Sequence, residues 1–274
     1  MKINKKILSR FFMCIFIFMF IFSIIKCNDI LTDKECVTTN ANSNLSNKKI
    51  CWGIKREDNH KQPDVGKQNK AILDQYNGIC IGGSESKKVY LTFDSGYEAG
   101  YMEKILAVLK QNNVKACFFI TAHYLNTQPE LVKRMIDDGH IVGNHTVNHK
   151  SMPEIDNDTI KNEVMNLHTA VYEKFGYEMK YIRPPKGEFS ERTLDFTNSL
   201  GYKTVMWSLA YDDWDESKQG REAYGKTKVL DNIHNGAVIL LHSNSKDNSN
   251  ILDDVIKEIR KMGYEFDTLD NFET

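Results

Sequence analysis

No two of the six cysteines are spaced as CxxC, so a zinc ribbon built on thiolates is excluded. A cationic surplus is missing as well. Residues 1–26 hold five of the 36 basic residues and no acid, which leaves 31 bases against 37 acids in the remainder. Such a body has no electrostatic footprint for nucleic acid or polyanions. A small-x-small cleavage site is the third absence. Lys2, Lys5, Lys6 and Arg10 precede an apolar run from Phe11 to Ile25 interrupted only by Ser23, and Lys26-Cys27-Asn28 follows directly. Ile-Ile-Lys before Cys27 is a poor lipoprotein signal. Fifteen residues at about 1.5 Å each reach roughly 22 Å, short of a ~30 Å bilayer core unless Ile7 and Leu8 join. Residues 1–26 therefore read as an export signal or membrane anchor, with an uncleaved anchor preferred and its positive end in the cytoplasm. The body is then exported, either held at the outer face of the cytoplasmic membrane or secreted.

Residues 27–49 are mostly Asn, Ser, Thr and Lys with few aromatics, a composition that cannot bury enough surface to order itself. This is a flexible tether. Residues 50–86, with Cys51-Trp52-Gly53-Ile54-Lys55-Arg56, Pro63-Asp64-Val65-Gly66-Lys67 and an amphipathic stretch to Tyr76, form a lead-in expected to pack on the domain that follows. Residues 87–274 suffice for one catalytic-size domain. Cys14 lies in the apolar run and Cys27 at its edge, while Cys36 falls in the tether. Outside the membrane a Cys51–Cys80 disulfide is one option, and Cys117, inside Val114–Ile120, reads as a buried strand thiol.

From Val89 the pattern alternates between two periods. Strand-like runs fall at 89–93, 114–120, 179–182, 203–208, 237–241 and near 265–269. Helical spacing joins Ile105/Leu106/Leu109, Leu131/Met135/Ile136, Ile160/Val164/Leu167/Val171/Phe175 and Ile251/Leu252/Val255/Ile256/Ile259. Helices end at Gly139-His140, Gly176-Tyr177, Gly201-Tyr202 and Gly263-Tyr264, where Gly supplies the left-handed turn before the next strand. Repeated βα units predict an α/β fold with a parallel sheet, and an incomplete (β/α) barrel is preferred because the chemically interesting residues all fall at strand C-terminal ends.

Asp94 ends the run Val89–Phe93, where it either caps the next turn or serves chemistry. His145 and His149 stand four apart, a spacing that on a helical turn shares a face and can grip one divalent cation; here they follow a short Ile-Val strand and a Gly143-Asn144 turn, a loop-like setting at the same edge as Asp94. In Arg183-Pro184-Pro185-Lys186-Gly187 the prolines have no N–H, so the Lys186 N–H is the first available to an oxyanion. Asp212 and Asp213 lie between Trp207 and Trp214, a sugar-facing wall or a surface loop with one buried Trp. Ala237–Leu241 is a buried strand that delivers His242 at its end.

In this order, strand-Asp, GNHxxxH, RPPxG, D-W and LLH resemble the motif set of the NodB-type polysaccharide deacetylases. The likeness is closest to their delta-lactam-biosynthetic branch, the muramic-acid de-N-acetylases of spore cortex. That branch is matched by Trp52–Arg56 with Pro63-Asp64 and Gly66-Lys67, by Thr92-Phe93-Asp94 with Gly96-Tyr97-Glu98, and by Leu240-Leu241-His242 with Asp247-Asn248. The resemblance runs from about residue 50 to the C-terminus. It implies an incomplete barrel of the NodB type and a hydrolase acting on an N-acetyl group. Asp94 is then the base, held ionised by Arg183; His242 is the acid that protonates the departing amine, kept charged by Asp213. His145 and His149 bind a divalent metal, zinc first and cobalt or manganese as alternatives. Lys186, Trp214 and Tyr97 contact the oxyanion and substrate. Where the wider family has a second Asp as metal ligand this chain has Ser95, a poorer donor. The implied partner is a peptidoglycan glycan strand already stripped of peptide by an amidase, with the protein acting as a monomer in the cell wall or cortex. An N-acetylglucosamine deacetylase on peptidoglycan or a chitin-like polymer is the nearest alternative, and a non-catalytic glycan-binding protein, suggested by Ser95, is the alternative from another class.

Overall fold

Strand β2 (Lys88–Ser95) buries every side chain from Val89 onward, which requires cover on both faces. The computed structural model that supplies this geometry describes residues 45–274. The expected anchor at 1–26, the tether up to residue 44, and Cys14, Cys27 and Cys36 lie outside the described residues. Among the described residues no helix is long and apolar enough to cross a membrane.

Strand β1 (Ile50–Cys51) opens the described chain, followed by α1 (Lys67–Gln75) and then β2. After β2 come α2 (Met102–Gln111), β3 (Cys117–Ile120), α3 (Ala122–Thr127), α4 (Pro129–Asp137) and β4 (Ile141–Asn144). The second half adds α5 (Asn157–Phe175), β5 (Tyr181–Ile182), β6 (Glu188–Phe189), α6 (Glu191–Ser199), β7 (Lys203–Thr204), α7 (Glu222–Asn232), β8 (Val238–His242), α8 (Lys246–Lys261) and β9 (Glu265–Asp267). Strands pair in parallel in the order β7-β5-β4-β3-β2-β8, with β9 on the start of β2; β1 and β6 form a separate antiparallel pair. The alternation of βα units thus produces the expected incomplete barrel. Its two edges meet only through isolated bridges: expected strand 203–208 keeps ladder geometry at Lys203–Thr204, and beyond it the N–H groups of Ser208 and Leu209 both donate to the Val238 carbonyl, with a bridge at Leu209–Ile239.

Side-chain alternation sorts the core into two shells. Val89, Leu91 and Phe93 pack outward with Leu106, Val164 and Ile256 of the helices, while Tyr90 packs inward with Cys117, Phe119, Ile141, Tyr181 and Val238. Thr92 and Asp94, at the same parity as Tyr90, share the inward face. Cys117 is a buried thiol, as its strand position implied. The four glycines expected after helices all adopt the left-handed conformation, from φ 65° at Gly176 to φ 89° at Gly201.

The lead-in fills the open side of the barrel. Ile79 bridges Val205, Ile81 bridges Ala237, and buried Trp52 donates its indole N–H to the Trp207 carbonyl at 2.8 Å. Two expectations are corrected here. Cys51 and Cys80 are both unpaired: Cys51 is exposed at the β1 edge with its thiol toward Glu188, whereas Cys80 is buried in the cluster around Leu73 and Phe189. The tether also ends earlier than residue 49. The Ser46 carbonyl accepts from the Arg192 N–H at 3.1 Å, and the Asn47 side chain bonds the Pro153 carbonyl, Ser190 and Arg192, so polar pairing orders a stretch too hydrophilic to read as docked.

Candidate active site

At the C-terminal ends of β2, β4 and β8 lies a cavity of about 1080 Å³ whose wall includes Asp94, His145, His149, Lys186, Trp214 and His242. The ladders bring these residues together: Asp94 is paired with His242 across β2 and β8, and the Arg183 N–H extends the β4–β5 ladder to the Asn144 carbonyl at 3.0 Å.

Arg183 is fully buried. Its Nη1 donates to Asp94 Oδ1 at 2.7 Å, Nη2 to Thr92 Oγ1 at 2.9 Å, and Nε to the Val205 carbonyl at 3.1 Å, with the guanidinium 4.3 Å from the centre of the Phe119 ring. Burial by itself raises the Asp94 carboxyl, but the Arg183 charge and the surrounding imidazoles outweigh it and hold Asp94 below the ordinary carboxylate range. Asp94 is therefore an ionised acceptor whose Oδ2 remains free of the guanidinium.

On the opposite side, His242 Nδ1 donates to Asp213 Oδ1 at 2.8 Å while its main-chain N–H donates to Oδ2 at 2.7 Å. Burial lowers the imidazole, yet the Asp213 carboxylate more than reverses this and His242 is raised above its ordinary value. Asn248 Nδ2 donates to the same Oδ2 at 2.6 Å and takes a hydrogen bond from the Tyr211 hydroxyl on its own Oδ1. The two neighbouring acids part company. Asp213 is buried beneath His242, whereas Asp212 pairs at the surface with Lys218 and Arg221.

The imidazole pair stands in the loop-like setting expected for it, at the same sheet edge as Asp94. Residues 145–150 form a loop rather than a helical turn, with Thr146 and His149 left-handed at φ 69° and φ 55°. Gly143 and Asn144 end strand β4 instead of making a turn; a Cβ on Gly143 would lie 2.5 Å from the Phe119 ring, so the glycine is there for packing. The rings still meet, with Nε2 atoms 3.1 Å apart. His145 Nδ1 donates to the Arg183 carbonyl at 2.8 Å, which leaves its Nε2 as a lone pair. Burial pushes His145 down, and His149 is pushed down to about 4 by burial of its inner edge and by the His145 ring. Two nitrogens each about 2.0–2.1 Å from one tetrahedral ion stand roughly 3.4 Å apart. The neutral pair fits a divalent cation, and Asp94 Oδ2 stands 3.5 Å from His145 Nε2. Among the described residues no group of three His, Cys, Asp or Glu side chains is placed to hold a metal ion, so positions beyond the two imidazoles would fall to water or substrate. Ser95 does not line the cavity. Its buried hydroxyl has no hydrogen-bond partner among the described residues, an orphaned oxygen one residue from Asp94.

Lys186, left-handed at φ 60°, carries its exposed side chain on the cavity wall after the two prolines. Gly187 is confined beneath it, since a Cβ there would lie 2.7 Å from the Trp207 ring. Trp214 and Tyr97 form the outer rim, 59% and 39% exposed, and Asn244 joins them by bonding the Tyr97 hydroxyl at 2.6 Å and the Trp214 carbonyl. Thr92, Asn144 and Asn248, quoted above only as parts of motifs, and Glu163, which no motif includes, support the site. Glu163 had a visible signal, a carboxylate on the apolar stripe of Ile160, Val164, Leu167 and Val171.

A carboxylate held ionised by arginine, an imidazole whose basicity a second carboxylate raises and two imidazoles lowered by burial, around one cavity on a parallel barrel, are the equipment of a hydrolase that activates water. The polysaccharide deacetylase family profile matches residues 82–205. The peptidoglycan-N-acetylmuramic acid deacetylase PdaA of Bacillus subtilis is 42% identical over 228 residues, 83% of this chain and 87% of that protein. A peptidoglycan-N-acetylglucosamine deacetylase of Bacillus cereus is 34% identical over 72% of each chain. The solved structure of Bacillus subtilis PdaA, a family 4 carbohydrate esterase, superposes with a TM-score of 0.81, covering 83% of this chain and 98% of that one. This chain belongs to the polysaccharide deacetylase family, and it is a deacetylase.

Proposed function

We propose that this deacetylase is exported and hydrolyses the N-acetyl group of N-acetylmuramic acid in peptidoglycan, and that the freed amine then closes onto its lactyl carboxyl to give the muramic delta-lactam of spore cortex. The observation that carries the substrate is the 42% identity to the Bacillus subtilis muramic acid enzyme across nearly its whole length. In this reading Asp94 takes a proton from the attacking water, aimed and kept ionised by Arg183. His242, charged through Asp213, gives a proton to the departing nitrogen, because an amide anion is far too poor a leaving group. His145 and His149 hold a divalent cation, zinc first and cobalt or manganese as alternatives, which supplies Lewis acidity toward the acetamide carbonyl when bound. The Lys186 N–H stabilises the developing oxyanion, and the Lys186 ammonium pairs with the lactyl carboxylate that an amidase exposes.

Assaying the chain on amidase-treated peptidoglycan is expected to release acetate and give muramic lactam by mass spectrometry. Asp94→Asn should lower the rate ~10²- to 10⁴-fold, and dialysis against chelator should abolish it until divalent metal returns. Lys186→Ala should lose preference for stripped over peptide-bearing strands. Glucosamine as the product would transfer the reading to N-acetylglucosamine, the substrate named for the Bacillus cereus relative. Absence of acetate release, with binding retained, would support a glycan-binding role.

A further inference from the structure

Helix α5 buries a carboxylate where its periodicity calls for an apolar residue. Glu163 is 4% exposed, and neither oxygen is spent inside the helix. Oε2 accepts the main-chain N–H of Asn148 at 2.6 Å, Oε1 accepts Asn148 Nδ2 at 2.7 Å, and the Glu163 carbonyl accepts the Val147 N–H at 3.0 Å. Lys150 approaches the same carboxylate at 3.4 Å. Each of these contacts lands on Val147, Asn148 or Lys150, the residues flanking His149 in its loop. That loop needs holding. Thr146, a β-branched residue, is left-handed at φ 69° and His149 at φ 55°, strained conformations that persist only where the surroundings fix them. Asn144 fixes the first bend, accepting the Thr146 N–H at 2.8 Å, and Thr146 Oγ1 accepts the His149 N–H at 3.1 Å. Among the described residues, Glu163 alone hydrogen-bonds Asn148, the residue directly before His149.

We propose that Glu163 is a positioning residue for the imidazole pair: by clamping Asn148 to helix α5 it sets the strained loop that turns His149 Nε2 toward His145 Nε2. The proposal rests on the reading of that pair as a cation site. Outer groups that orient ligands of this kind typically contribute 10- to 100-fold in metal affinity. Gln at 163 keeps the shape but replaces one acceptor oxygen with a donor facing Asn148.

The test uses cobalt(II) with the full chain, following the visible absorption band of the bound ion and competition with a chromophoric chelator. His149→Ala serves as the control that loses the site. Glu163→Gln is expected to bind cobalt about 10- to 100-fold more weakly, and its acetate release is expected to climb back toward the parent's as cobalt saturates. Parent-like affinity in Glu163→Gln overturns the clamp, and so does weakened activity that saturating cobalt fails to restore, which is the mark of a merely structural role. If Glu163→Gln does not fold, Asn148→Ala is read in its place: it deletes the Nδ2 bond from an exposed loop residue, and unchanged cobalt affinity there overturns the clamp equally. A parent chain with no cobalt signal overturns the cation reading and the clamp together, whereas failure in the variants alone leaves the cation reading standing.

Discussion

Asp213 spends both carboxylate oxygens on His242, one on the ring and one on the main chain, and this fixes the sign of the pH response. The protonated imidazole is the useful acid, so the rate should fall as pH rises through the raised value of His242. In Asp213→Asn the attraction that raises His242 is gone and burial, which lowers it, remains. The alkaline limb of the pH–rate profile should therefore move to lower pH, with a rate at neutral pH lower by roughly 10²- to 10⁴-fold; an unmoved limb would show that another group sets it. At this scale the sequence was informative because strand alternation and strand ends suffice to gather Asp94, His145, Arg183 and His242. It marked Asn248 as a motif residue and Glu163 as a carboxylate on an apolar stripe, but not what they bond, because that depends on which loop packs beside a helix and spacing within one segment does not encode it.

Strands β3 and β4 carry the tightest packing constraint near the site. Phe119 is paired with Gly143, and a methyl group on Gly143 would meet the Phe119 ring that underlies Arg183. Gly143→Ala is expected to cost ~1–3 kcal/mol by overpacking and to lower the Tm by several degrees. Activity should fall further than stability alone explains, because the displaced ring supports the guanidinium; thermal unfolding and acetate release measured on the same preparation check this. Long periodic elements such as α5 and α8 were legible from sequence, with Asp156 and Ser245 capping their first turns. Elements without an apolar stripe were not. Helix α7 lacks a strong apolar stripe, burying only Gly225 and Val229, and the two-residue strands β1 and β6 exist only through each other. The loop setting of the two histidines follows from the short strand before them, but four-residue spacing does not encode the two left-handed bends at Thr146 and His149.

For the molecule as a whole, the open side of the barrel is the weak point and the lead-in closes it. Residues 79–81 bridge strands at both edges, and Trp52, Leu73 and Phe189 share one apolar cluster. A chain begun at Leu45 should fold and be soluble, whereas one begun at Lys87 should expose that cluster and aggregate; soluble, cooperatively unfolding protein from the shorter chain would contradict this. The fold class was legible in sequence because βα alternation spans the domain, while the docking of Ser46 and Asn47 was hidden by their polarity. Arg183 serves two masters from one position, its side chain reaching Asp94 and its carbonyl receiving His145. Main-chain atoms survive any replacement of the side chain. A protein engineer could therefore retune the basicity of the carboxylate by changing residue 183 while the tautomer of His145 stays set, two dials on one residue that turn separately.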